Sequence, residues 1–186
     1  MRNQPYAQLV KGTENGMKKY GYTLVQLMVG ISIISILLTA GIPSFAEFQR
    51  RQELRQILLQ TKQLISEARH IAIVHRKNIT VVVDTGDRWC IGATTDLTCD
   101  CQQITGCQIN DIAFTLTAKN NDVVLSESRN RVGTKIVFTA SYGTAYGFAT
   151  TLRLNSVMGV GKVIINNLGR VRMCTDTASA LGMQQC

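Results

Sequence analysis

Lys18-Lys19-Tyr20-Gly21-Tyr22-Thr23-Leu24-Val25-Gln26-Leu27-Met28 is the stretch on which the reading of the fold turns. A basic pair meets a glycine, and an apolar run begins. From Gly21 to Ala46 no residue is charged, and between Leu24 and Ile42 the polar members are Gln26, Ser32, Ser35 and Thr39. A helix needs about 20 such residues to cross a bilayer core. Arg2, Lys11, Lys18 and Lys19 precede the run with Glu14 alone against them, and Glu47, Arg50, Arg51 and Arg55 follow it. The basic pair at the border places the N-terminus in the cytoplasm and the rest of the chain across the membrane.

Three signals fit such a run. A cleaved secretory signal has an apolar core of about 7–15 residues. Ser44-Phe45-Ala46 could be its cleavage site, but this run is longer. A plain signal anchor is the second. The third is more specific: the basic pair, the Gly, the Thr-Leu step and Leu27-Met28 together resemble the prepilin signal of type IV pilins and type II secretion pseudopilins. The resemblance implies cleavage by a prepilin peptidase between Gly21 and Tyr22, methylation of the new N-terminus, and a mature chain of 165 residues. Two positions depart from the family. Tyr22 stands where Phe is usual, and Gln26 stands where a Glu usually pairs with a neighbouring subunit's amine. A carboxylate in lipid is expensive unless paired, so it drives docking. An uncharged Gln26 suits a rare subunit, such as one at a filament tip, better than a major pilin.

Beyond the run, Pro43 is expected to kink the helix, with Gly41 two residues before it. Leu54, Ile57, Leu58, Leu64, Ile65, Ala68, Ile71 and Ala72 then recur at helical spacing, with Arg50, Arg51, Arg55, Lys62, Glu67 and Arg69 on other faces. A helix from Tyr22 to about His75 would be about 80 Å long. Ile79–Val83 is β-branched and leaves that period. Asp84–Asp87 reads as a turn and Arg88–Ile91 as a return strand. Further strands fit residues 112–116, 135–139, 150–155 and 160–165, then the turn Asn166-Asn167-Leu168-Gly169 and a strand from Arg170 to Cys174. No β-α-β alternation appears, so the sheet is expected to be antiparallel. The expected fold is α+β and type IV pilin-like: a long N-terminal transmembrane helix packed on an antiparallel sheet or sandwich. Its parts are a leader (1–21), a membrane or filament-core half-helix (22–46), an amphipathic half-helix (47–77) and a β-rich periplasmic head (78–186). This order, with Glu67-Ala68-Arg69 and the last hairpin, resembles the FimT/GspH group of minor pilins.

The 186 residues are 45% apolar and 17% charged, which excludes a disordered chain, and the length suits one domain with an appendage. Two His and no acidic cluster leave few parts for a metal centre. No Ser-His-Asp set, carboxylate pair or phosphate-cradling Gly loop can be assembled, so no catalysis and no cofactor are expected. All six Cys (Cys90, Cys99, Cys101, Cys107, Cys174, Cys186) follow the apolar run and read as disulfides on the exported side. Zinc would want a Cys-x2-Cys pair, which is missing. Cys174 with Cys186 would tie the tail to the last strand. The other four would pair among themselves, crossed or nested, without a Cys99–Cys101 link. Trp89 reads as a core aromatic. His70 and His75 read as helix-to-sheet packing, and Arg50, Arg51 and Arg55 as a solvated or headgroup face.

The formal net charge is +8. The leader carries +3 of it, and from Arg129 onward seven basic residues face one acidic residue, Asp176. In Gly169-Arg170-Val171-Arg172 the strand period of two puts both guanidiniums on one face, about 7 Å apart. Paired guanidiniums can grip neighbouring phosphates. A terminal hairpin with a turn Gly and outward charges also needs no ligand. The segment resembles the Gly-Arg-x-Arg motif of FimT-type pilins that bind DNA in natural transformation. The resemblance implies phosphate contacts at Arg170 and Arg172 and a presenting turn at Gly169. By charge, Lys162, Arg153 and Lys135 are auxiliaries. The implied partners are other pilin subunits, the peptidase, the inner membrane and DNA. A priming minor pilin, a type II secretion pseudopilin, and a membrane-anchored periplasmic domain outside any filament are the other readings.

Recovered from membranes of a host that carries the peptidase, the chain is expected to begin at a methylated Tyr22 by N-terminal sequencing and intact mass. A product beginning after Ala46, or one that keeps residues 1–21, would contradict the prepilin reading.

Overall fold

The structure is a computed structural model describing residues 21–85, 88–103, 105–118, 122–128, 134–176 and 182–186, without the side chains of 40–43. Lys18, Lys19, Gly86 and the expected kink at Pro43 lie outside that description. The chain falls into two compact units, Met1–Ile42 and Pro43–Cys186. One helix, α1 (Leu24–His75), contributes residues to both.

In the first unit, α1 opens with a reciprocal cap. Thr23 N donates to Gln26 Oε1 (3.1 Å) and Gln26 N donates to Thr23 Oγ1 (3.3 Å). This is a capping box, which satisfies two backbone donors that a helix start leaves unpaired. The remaining polar residues of the apolar run also bond inward. Ser32 Oγ donates to Met28 O, Ser35 Oγ to Ile31 O and Thr39 Oγ1 to Ile36 O, at 2.7–2.8 Å. Ser32, Ser35 and Thr39 thus donate their hydroxyl protons within the helix, as an apolar surrounding favours. The large apolar side chains from Tyr22 to Leu38 are exposed. Among the described residues, no single helix is long and apolar enough by itself to cross a membrane; Leu24–Thr39 and Ser44–His75 pass only when taken together.

In the second unit, α1 buries Leu54, Leu58, Thr61, Ile65, Ala68 and Ala72 completely. The alternating spacing of four and three keeps one stripe inward. Ile57, Leu64 and Ile71 flank it, half-buried against the same core. His70 and His75 are exposed, so they do not make the helix-to-sheet packing expected of them; the small Ala68 and Ala72 do. The helix ends at Arg76, whose φ of 51° ends the α-helical dihedrals.

Among the described residues ten strands follow: β1 (Ile79–Asp84), β2 (Cys90–Thr94), β3 (Gln108–Ile109), β4 (Ile112–Ala113), β5 (Thr115–Thr117), β6 (Val123–Glu127), β7 (Thr134–Phe138), β8 (Thr150–Ser156), β9 (Gly159–Ile165) and β10 (Val171–Thr175). They form two four-stranded sheets, β5-β2-β1-β7 and β10-β9-β8-β6, and a β3-β4 ribbon, with every pairing antiparallel. Val81 sits opposite Ala93 on one side and Ile136 on the other. One apolar cluster joins the α1 stripe to both sheets through Ile79, Val81, Phe138, Leu125, Leu152, Leu154 and Val163. Trp89 is in it, and its Nε1 donates to Val123 O at 2.7 Å. The architecture is α+β, with a helix packed on antiparallel sheets.

The expected strand at 112–116 is two. Asn110 and Asp111 adopt positive φ (52° and 62°), the geometry of a tight hairpin turn, so β4 folds back on β3. β5 then joins β2. The sequence reading also lacked β6, a five-residue strand that ends on Ser126-Glu127 and buries Val123, Leu125 and Glu127. The Glu127 carboxylate accepts from the hydroxyls of Thr134 and Thr150.

The disulfides are Cys90–Cys101, Cys99–Cys107 and Cys174–Cys186, so the two in the 90–107 loop are crossed. Cys90, Cys101 and Cys107 form a second small buried cluster on the face of β2 away from the main core. Gly92 permits it, since a Cβ there would lie 2.3 Å from Cys107 Sγ.

Thr61 Oγ1 is buried and, among the described residues, has no hydrogen-bond partner. An unpaired buried hydroxyl destabilises, while valine has the same shape without the polar atom. Thr61→Val is expected to raise the unfolding free energy of the Pro43–Cys186 unit by about 1 kcal/mol in urea titrations. An unchanged or lower midpoint would show that the hydroxyl is satisfied.

Candidate nucleic-acid interface

The β9–β10 turn is held from three sides. Inside it, Gly169 N donates to Asn166 O (2.9 Å) and Arg170 N to Asn166 Oδ1 (2.8 Å). From a neighbouring loop, Ala145 N donates to Asn167 O at 3.0 Å. From α1, Arg69 donates through Nε to Gly143 O (3.0 Å) and through Nη2 to Leu168 O (3.4 Å). Gly169 has φ +76°, and a Cβ there would meet Gly143 O at 2.0 Å and Arg69 Nε at 2.9 Å. Both the left-handed backbone and the close carbonyl require glycine.

This turn leads directly into the two arginines. Arg170 and Arg172 are exposed, while Val171 and Met173 pack on the main core. Arg172 lies opposite Ile164, and Lys162 lies between Cys174 and Arg153. Directly opposed residues share a face, so Arg172, Lys162 and Arg153 stand on the outer face of one sheet. Lys162 Nζ is bound to Asp176 Oδ1 at 2.6 Å, and Arg153 is exposed. Lys135 is on β7, in the other sheet, opposite Val82. The structure therefore groups four of the five expected cations and leaves Lys135 apart.

β10 is an edge strand. The tail folds back on its end: Thr175 N donates to Gln184 O and Cys186 N to Thr175 O, both at 3.0 Å. The Cys174–Cys186 link, with Cα atoms 5.0 Å apart, closes this arrangement. Along the edge runs a cleft of about 470 Å³. Arg170 and Arg172 line it with Arg55 and Lys62 of α1, and the tail from Gly182 to Cys186 forms a wall. Among the described residues, no Asp or Glu lines it. Among the described residues, none of the four cations has a salt-bridge partner, whereas Arg51 is paired with Glu47.

Arg55 thus borders a cleft and not simply the solvated or headgroup face expected of it. Lys62 was not singled out by the sequence. The available signal was the seven-residue spacing of Arg55, Lys62 and Arg69, which places them on one helix face. Periodicity does not say which strand that face meets. No described group of three or more His, Cys, Asp or Glu side chains is placed to hold a metal ion, and the cysteines are all in disulfides.

No protein-family model matches the chain, and no curated protein matches it. Among solved structures, it is similar to the type IV minor pilin FimU of Pseudomonas aeruginosa in two crystal forms. In the P21 form the identity is 16%, the match covers 68% of this chain and 91% of that one, and the TM-score is 0.48. In the P65 form the identity is 16%, the coverage 66% and 90%, and the TM-score 0.45.

Arg69→Met removes both bonds to the turn and loop and is expected to cost about 1–3 kcal/mol. Gly169→Ala should cost at least as much, because Cβ has no room. Hydrogen exchange at the Gly169 and Ala145 amides should quicken in both variants. Unchanged protection would mean that the turn holds without the helix.

Proposed function

We propose that the chain is a minor type IV pilin whose head binds DNA through Gly169, Arg170 and Arg172, without sequence preference, for DNA uptake in natural transformation. The carrying observation is the pair of exposed guanidiniums at Arg170 and Arg172. They follow a turn held by Arg69, beside a cleft lined by cations and, among the described residues, by no Asp or Glu. Phosphate contacts of this kind fix a nucleic acid in place but carry no sequence information. Arg153 and Lys162 extend the positive face, with Lys162 partly neutralised by Asp176.

In this reading residues 1–21 are a leader removed by the prepilin peptidase between Gly21 and Tyr22. Residues 22–46 anchor the protein in the inner membrane and later join the filament core. Residues 47–77 carry the amphipathic half-helix, and residues 78–186 form the periplasmic head, displayed on the pilus beside other pilin subunits. The exposed apolar side chains from Tyr22 to Leu38, with their polar neighbours bonded inward, support this assignment. A purely structural role, as a priming pilin or type II secretion pseudopilin, draws support from a different observation. Tyr142, Tyr146 and Leu168 are exposed close to the turn and would suit a neighbouring subunit.

The Pro43–Cys186 unit is expected to retard DNA in gel shifts, with log K falling linearly against log salt. Arg170→Ala with Arg172→Ala should lower that slope by about 2, at about 0.9 per lost phosphate contact. Retardation unchanged at low salt would exclude the arginine pair and favour the structural role.

A further inference from the structure

We propose that Arg55 and Lys62 of α1 are phosphate contacts of the same site, so that the nucleic-acid backbone runs in the cleft along β10 and not across the outer face of the sheet. This rests on the DNA-binding reading above and assigns the path of the ligand within it.

Four observations carry the path. Arg55 and Lys62 line the cleft together with Arg170 and Arg172, bringing helix and strand cations to one groove. Seven residues is two helical turns, so the helix pair is spaced by about 10 Å along the groove, against about 7 Å for the strand pair. Both spacings suit a chain of repeating anions better than a single one. Next, no Asp or Glu among the described residues lines the groove, and residues 177–186 contain no charged side chain. On the outer face, by contrast, Asp176 already holds Lys162. Lys62 is half-buried and, among the described residues, has no salt-bridge partner. A partly desolvated ammonium gains more from an arriving anion than a fully hydrated one. Finally, Thr175 donates its N–H to Gln184 on the edge side of β10. In an antiparallel strand the residues of the same parity turn their N–H the same way. The amides of Val171 and Met173 therefore face the cleft side, as neutral donors for phosphate oxygens. Three guanidiniums and an ammonium favour phosphate, which accepts the planar fork in two bonds.

The test uses the full chain in nonionic detergent and fluorescence anisotropy with labelled DNA over a salt series. Arg55→Gln with Lys62→Gln is expected to lower the slope of log K against log salt by about 2. Arg153→Gln with Lys162→Gln should change it by less than half as much. Melting curves confirm that each variant is folded; if the Lys62 variant is not, Arg55→Gln alone should lower the slope by about 1. If the Arg170/Arg172 variant loses slope while the Arg55/Lys62 variant does not, the path is wrong and the DNA-binding reading stands. If neither variant changes the slope, both fail. If the Arg55/Lys62 variant loses binding to polyglutamate or to anionic vesicles but keeps its DNA slope, the cleft serves an acidic peptide or a lipid surface, and the proposal is overturned.

Discussion

The seam of Leu54, Leu58, Thr61, Ile65, Ala68 and Ala72 is the contact on which the rest of the head depends. It is the stripe by which one helix closes the core shared by two sheets. Arg55, Lys62 and Arg69 each follow a seam residue by one position, at Leu54, Thr61 and Ala68. Once the seam is buried, these three cations must share a flank. The structure sets that flank beside β10, where Arg69 secures the turn and Arg55 and Lys62 border the cleft. Burial that stabilises the fold therefore also aims the charges. A register shift in the seam would lose both.

The two ends of the head solve a different problem. β2 is buried on both faces, one by the main core and one by crossed disulfides, because Gly92 lets Cys107 approach the sheet directly. A short irregular loop such as 95–107 has little apolar area to bury, and cross-links limit its freedom when unfolded. The Cys174–Cys186 link does the same for the tail and at the same time makes it a cleft wall. Stability and site are again built from one device.

Gln26 changes meaning between sequence and structure. By resemblance to pilins it is a missing carboxylate. In the structure it is the far half of a capping box with Thr23, spent on its own helix start. The spacing Thr-x-x-Gln before an apolar run is a known signature of such a cap, so this much was legible without coordinates. The same holds for the helical stripe, the strand positions from β7 to β10, the last hairpin with its glycine, and the exposed pair Arg170 and Arg172.

The sequence by itself determined what local chemistry controls. It set the apolar run, the buried period of the second half-helix, the alternation that turns both arginines outward, and a cysteine close enough to tie the tail. Tertiary structure alone decided the crossed disulfides, the split at Asn110-Asp111, the position of β6 and the assembly of the cleft. β6 escaped because its local signal was weak: it is five residues long, and its buried Glu127 is held by the hydroxyls of Thr134 and Thr150. The cleft joins segments far apart in sequence, 115 positions for Arg55 and Arg170; the crossed disulfides join residues only 11 and 8 positions apart, but several pairings of those four cysteines were open. Periodicity tells which residues share a face; only packing tells what that face meets.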